Sequence, residues 1–87
     1  MAKVFIPAWL WNETDDTREI ELPGSTVREV LMALEQRFPL VVGRLRDGKV
    51  MRAGLCVSVD SKVIHRGLNL RVSPESEVHF VLAISGG

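Results

Sequence analysis

Residues 26–38 constrain the fold more than any other stretch of the chain. Thr26-Val27-Arg28-Glu29 has the spacing of a capping box. In that motif the Thr26 hydroxyl accepts from the Glu29 N–H, and the Glu29 carboxylate reaches back to the Thr26 N–H. Val27, Val30, Leu31, Leu34 and Phe38 then fall on one helical face. Arg28, Glu29, Glu35, Gln36 and Arg37 fall elsewhere and are expected in solvent. Pro39 disfavours helical geometry at Phe38 and ends the run. A helix that is apolar on one side needs a surface to cover. Its mixed-sign polar face suits a lid over a sheet better than a membrane helix.

The rest of the chain supplies the sheet. Residues 3–11 alternate, with Val4, Ile6, Ala8 and Leu10 on one face and Phe5, Pro7, Trp9 and Trp11 on the other. This predicts a strand covered at least partly on both sides, pairing poorly near Pro7 because proline lacks an N–H. Residues 12–17 are polar, and residues 18–22 alternate again with Ile20 and Leu22 inward, which reads as a long-looped β-hairpin. After the helix, residues 40–45 suggest one irregular helical turn, Asp47-Gly48 a turn, and residues 49–53 a short strand. Residues 55–59 place Leu55, Val57 and Val59 on one face, and residues 63–65 return briefly. Residues 67–73 are weakly patterned, and residues 73–76 turn. Residues 78–82 form the last strand, with Val78, Phe80 and Leu82 inward.

One helix covers one face, so the chain is expected to be α+β, a mixed four- to five-stranded sheet with its other face more open. A helical crossover lets the first and last strands lie side by side and parallel. Phe5, Pro7, His79 and Val81 then point away from the helix, with Trp9 extending their row. An apolar surface without a second helix marks an interaction site. The competing expectation is that the long central loop folds over it.

Composition removes several function classes. The chain has 87 residues, 46% hydrophobic, enough for one modest core. Eleven basic and eleven acidic side chains cancel, which argues against a nucleic-acid or anionic-membrane surface. No apolar run reaches membrane-spanning length, and the first residues lack the pattern of a signal peptide. A single cysteine, Cys56, excludes an internal disulfide, and a reducing cytoplasm is the expected setting. His65, His79 and Cys56 lack metal-ligand spacing, so no metal site is expected.

What remains is the end of the chain. The last strand runs into Ala83-Ile84-Ser85-Gly86-Gly87. The expected organisation is a domain over residues 1–82 and a flexible tail over residues 83–87. Glycine has no Cβ, so a Gly-Gly stalk is thin enough to thread a narrow channel. Its α-carboxylate on Gly87 is unhindered and open to adenylation by ATP.

The strand–strand–helix–strands order, the Thr-Val-Arg-Glu-Val-Leu helix start at residues 26–31 and the terminal Ser85-Gly86-Gly87 resemble the ubiquitin-like β-grasp sulfur carriers of the ThiS/MoaD family. That family includes the thiamine sulfur carrier, the small subunit of molybdopterin synthase and a carrier used in cysteine synthesis. The resemblance implies a carrier rather than an enzyme, with no stably bound cofactor. An E1-like activating enzyme adenylates Gly87 with ATP, a persulfide donor supplies sulfur, and a thiocarboxylate passes it to a sulfur-accepting synthase subunit. A ubiquitin-like modifier joined to lysines through Gly87 would use the same activation, and a non-catalytic β-grasp interaction domain would leave the tail inert. Leu82-Ala83 stands where molybdopterin-synthase subunits carry Pro-Pro, while residues 46–53 resemble an insertion of the cysteine-synthesis carriers, whose proline before the tail is also missing. Pro74-Glu75-Ser76-Glu77 replaces the family's Asp-Gly-Asp-Glu turn.

Overall fold

The structure is a computed structural model and describes residues 1–65 and 67–82. Strand β1 (Ala2–Phe5) pairs antiparallel with β2 (Glu19–Leu22), and helix α1 (Val27–Arg37) follows. A two-stranded ribbon of β3 (Arg46–Asp47) and β4 (Val50–Met51) stands apart from the main sheet. Strands β5 (Leu55–Val59), β6 (Lys62–Ile64) and β7 (Glu77–Leu82) complete that sheet in the order β2-β1-β7-β5-β6. As expected, β1 and β7 are parallel neighbours at the centre, with Val4 beside Val78 and Phe5 beside His79. All other pairings in the main sheet are antiparallel.

The core lies between the sheet and α1. Val27, Val30, Leu31, Leu34 and Phe38 are buried from the helix side, and Val4, Ile6, Leu22, Val57, Val59, Val78 and Phe80 from the sheet side. The apolar helical stripe therefore faces the alternating strand residues as its period requires.

Both ends of α1 are tied. The Thr26 hydroxyl accepts from the Glu29 N–H at 3.3 Å. The Glu29 carboxylate reaches one residue further back than the simple box predicts, accepting from the Ser25 N–H at 2.9 Å and the Ser25 hydroxyl at 3.1 Å. The first N–H groups of a helix have no partner inside it. Here the weakly patterned loop supplies two: Val27 N–H donates to Leu70 C=O and Arg28 N–H to Leu68 C=O. Leu68 and Val72 are buried beneath that contact. Gly24 makes the close entry possible. Its φ is +139°, and an added Cβ would lie 2.8 Å from the Val30 nitrogen.

Three features depart from the sequence expectation. The first strand stops at Phe5 rather than continuing to Trp11. Pro7 ends the ladder, and Ala8–Leu10 form a 3-10 turn that buries Leu10 and leaves Ala8 exposed. Ala8 therefore does not join the buried face that alternation assigns it. The excursion that follows is closed by the buried Thr14 hydroxyl, which donates to Thr17 C=O at 2.9 Å. Asp15 and Asp16 take φ of 53° and 61°, a left-handed conformation that aspartate tolerates better than most residues.

Second, Glu35 is buried, not solvated. Both of its oxygens bind the Arg46 guanidinium, at 2.9 and 2.7 Å. This bidentate pair fastens the β3–β4 ribbon to α1 and raises the Arg46 pKa further. Third, Leu82 is 60% exposed. Its partner Leu55 is buried, but the pairing of β1 with β7 ends at His79, so Leu82 has a strand on one side only.

Two outcomes follow from this packing. Leu34→Ala should destabilise the protein by about 2–5 kcal/mol in a denaturant titration, because Leu34 is fully enclosed; a change within error would contradict its place at the centre of the core. The second concerns acid. The Glu29 carboxyl is held below its ordinary pKa by the Ser25 N–H and then the Ser25 hydroxyl. The Asp60 carboxyl is likewise lowered by the Glu77 N–H and then the Ser76 hydroxyl. A lowered folded pKa gives stability that is present above the unfolded value and lost as pH falls through the folded one. Glu29→Gln combined with Asp60→Asn should therefore flatten the acid limb of a stability-against-pH curve, and an unchanged limb would refute the assignment.

Candidate functional site

The parallel pairing of β1 with β7 creates the outer face. Alternation sends Val78 and Phe80 to the helix, and Glu77, His79 and Val81 to the other side. Phe5, in register with His79, emerges beside it. Their rings stack with centroids 4.3 Å apart and planes 4° from parallel. On the far side of β7, Ser58 stands opposite His79 and Cys56 opposite Val81. The Cys56 thiol is buried and lies 3.7 Å from Val81 C=O, to which it donates. Cys56 thus packs as a small buried residue. The Glu77 carboxylate lies 3.9 Å from His79 along the same strand.

Of the four residues expected to form a partner-binding face, three come together. Phe5, His79 and Val81 share the outer surface, and Val81 is 43% exposed. Pro7 lies beyond the last ladder pair, at the start of the 3-10 turn. Trp9 does not extend the row; it packs partly buried against the core. Trp11 does the same, donating from its indole nitrogen to Ile6 C=O at 2.8 Å, with the Arg18 guanidinium 4.0 Å from its ring centroid. The aromatic residues after Pro7 thus brace the excursion.

Ser85, Gly86 and Gly87, the residues expected to carry the chemistry, lie outside the described residues, as does the expected boundary of a flexible tail at residue 83. The structure describes their root. Strand β7 reaches Leu82, which pairs with Leu55 at the sheet's end. Among the described residues no group of three His, Cys, Asp or Glu side chains is placed to hold a metal ion, and no helix is long and apolar enough to cross a membrane.

One feature near that root has no counterpart in the sequence reading. A cleft of about 730 Å³ opens between the β3–β4 ribbon, the turn at Gly43 and the start of β5, with Arg46, Arg52, Gly54 and His65 on its walls. The local signal beside it is the Asp47-Gly48 turn before a short strand, which says nothing about a concavity.

A mixed five-stranded sheet with a parallel central pair and a single helix across one face is the ubiquitin-like β-grasp. The sequence profile of the ThiS family matches residues 4–87, and the chain belongs to that family, whose members are small carriers rather than catalysts. A search of curated proteins finds no significant match. Among solved structures, CysO in the BexX/CysO complex of Amycolatopsis orientalis is 25% identical, each chain covered over 100% of its length, with a TM-score of 0.88. CysO of Mycobacterium tuberculosis is 20% identical over 97% of this chain and 100% of its own, with a TM-score of 0.83. Small archaeal modifier protein 1 of Methanosarcina acetivorans is 22% identical over 99% of this chain and 95% of its own, with a TM-score of 0.79. The last two likenesses concern the fold.

The exposed face gives a direct test. If this face meets a partner protein, Phe5→Asp or Val81→Asp should weaken that binding by calorimetry while leaving the thermal midpoint nearly unchanged for Val81, which is already solvent-exposed. Normal binding by both variants would move the partner face elsewhere.

Proposed function

We propose that this protein is a sulfur carrier whose C-terminal Gly87 carboxylate is adenylated and then converted to a thiocarboxylate. The observation that carries the reading is the match to the ThiS family through residue 87, which takes in Ser85-Gly86-Gly87 as well as the domain. An oxygen of the Gly87 carboxylate attacks the α-phosphate of ATP on an E1-like activating enzyme, and pyrophosphate leaves. The acyl adenylate is a far better electrophile than the carboxylate. The terminal sulfur of a persulfide donor attacks its carbonyl and expels AMP. A thiol then cleaves the sulfur–sulfur bond and leaves the thiocarboxylate on Gly87. That sulfur is the nucleophile delivered to a synthase subunit. ATP belongs to the activating enzyme, and the carrier holds no cofactor of its own.

The demands on the carrier are few. The tail has to enter a site that excludes water from the adenylate, since hydrolysis would waste it. A Cβ at residue 86 would obstruct the channel, and at residue 87 it would crowd the reacting carbonyl. Phe5, His79 and Val81 provide the adjoining apolar surface for the enzyme, with Pro7 at its margin. The segment from residue 46 to residue 53 favours an acceptor of the cysteine-synthesis type over a molybdopterin or thiamine partner, and the single free cysteine suits a reducing cytoplasm.

A second reading, a protein modifier joined to lysines through Gly87, is supported by the likeness to small archaeal modifier protein 1. The two readings share the adenylate and differ in the nucleophile that receives it.

Incubation with the cognate activating enzyme, ATP and a persulfide donor should exchange one oxygen for sulfur at Gly87, read by intact-mass and fragment-ion spectrometry. Gly86→Val or deletion of Gly87 should abolish the exchange, because misplacement at the reacting carbonyl costs on the order of 100-fold in rate. Thermal stability should not change. Ladders of lysine conjugates in place of the exchange would favour the modifier. A chain extended by one residue that is thiocarboxylated as readily, without trimming, would refute the mechanism.

A further inference from the structure

The cleft beside the root of the tail is a built concavity. Its ribbon wall is held by the bidentate pair of buried Glu35 with half-buried Arg46. Arg46 also donates to Gly48 C=O at 2.7 Å, closing the ribbon's turn. Arg46 is therefore neutralised and committed to structure. Arg52 is different. One of its terminal nitrogens donates to Gly43 C=O at 2.6 Å, which bridges the two walls and fixes the guanidinium. Among the described residues no carboxylate lies within ion-pair distance of Arg52 or of Lys49 at the ribbon's turn. The remaining nitrogens of Arg52 form an oriented, unmatched fork, the geometry that carboxylates fit. Asp47 is the one acid on the walls.

The position of the cleft bears on what meets it. Gly54, on one wall, immediately precedes Leu55, which pairs with Leu82, the last described residue before the tail. Gly43, on the other wall, follows Val42, which is 61% exposed. The cleft's walls thus adjoin along the chain an exposed Val42 on one side and, through Leu55, the exposed Leu82 on the other. A nucleotide reacts with the far end of the tail, five residues on. What meets the root is the protein surface that surrounds the tail.

We propose that this cleft is a docking site for an acidic side chain of the activating enzyme, read by Arg52 and supported by Lys49, so that the enzyme is registered on the domain as it takes in the tail. The proposal rests on the sulfur-carrier reading and adds a charged recognition point to the apolar face of Phe5 and Val81. Such a contact orients the encounter and adds specificity without entering the chemistry.

The test is steady-state adenylation of the full chain, followed as pyrophosphate release. Arg52→Glu should raise the KM for the carrier about tenfold with kcat unchanged, and the effect should shrink as salt is raised. Arg52→Lys should recover part of the loss. Lys49→Glu, which removes no hydrogen bond seen in the structure, should raise KM in the same direction. Arg28→Glu, on the exposed side of the helix, should leave KM unaltered. A normal KM for both Arg52→Glu and Lys49→Glu would overturn the docking site. So would a fall in kcat at constant KM, or amide shifts at Arg52 and Gly54 on adding AMP to the isolated carrier, which would make the cleft a nucleotide site. Failure of the unsubstituted chain to be adenylated would overturn the functional reading itself, and the docking site with it.

Discussion

The structure depends on the parallel pairing of its first and last strands. Val4 and Val78 meet at the centre of the sheet, both fully enclosed, and every other strand of the main sheet is added outward from that pair. A parallel pair cannot be closed by a tight turn; it needs a crossover, and α1 is that crossover. The helix therefore both connects the sheet and covers it. The same pairing gives β7 its direction, and β5 braces it up to Leu82.

The helix is itself held from outside. Its first N–H groups are taken by the Thr26 hydroxyl and by the carbonyls of Leu68 and Leu70, and its last turns bind Arg46 through Glu35. The Glu35 pair is worth more as a fastening than as a source of stability. Burying Glu35 and half-burying Arg46 costs desolvation, which an excellent geometry offsets, whereas removing Arg46 would strand the Glu35 carboxylate. A second exposed-side pair, Arg44 with Glu13 at 2.6 Å, ties the excursion after β1 to the chain that follows the helix. The irregular parts of the molecule are thus anchored to the regular ones by a few long-range polar contacts.

Legibility in the sequence followed the physics of each segment. The helix was readable because capping chemistry and a 3.6-residue period agree over Thr26 to Phe38. Strands β5 and β7 were readable because one buried face imposes alternation. The alternation through Trp11 misled, since Pro7 breaks the ladder and Trp9 and Trp11 find cover from a 3-10 turn instead. Residues 67–73 were opaque because Leu68, Leu70 and Val72 meet the core from an irregular segment with no strand or helix period, and its carbonyl contacts to the helix leave no mark on residue type. Glu35 was misplaced because a charged residue flanking an apolar stripe reads as solvated unless its distant partner, Arg46, is known. On the outer face, Phe5, His79 and Val81 followed from period two and the parallel crossover, while Pro7 belongs to its edge. The cleft at Arg52 depends on three segments meeting, which no local pattern encodes.

The fold, the exposed row on β1 and β7 and the membership of the ThiS family all bear on one chemical claim, that Gly87 is the group activated. Its most direct measurement is isotope exchange between pyrophosphate and ATP catalysed by the cognate activating enzyme, with no sulfur donor present. This reads formation of the acyl adenylate and nothing later. The account predicts exchange that requires the chain ending in Gly87 and that is lost when one residue is added beyond it. Exchange that proceeds equally well without the carrier, or with the added residue in place, would contradict the claim.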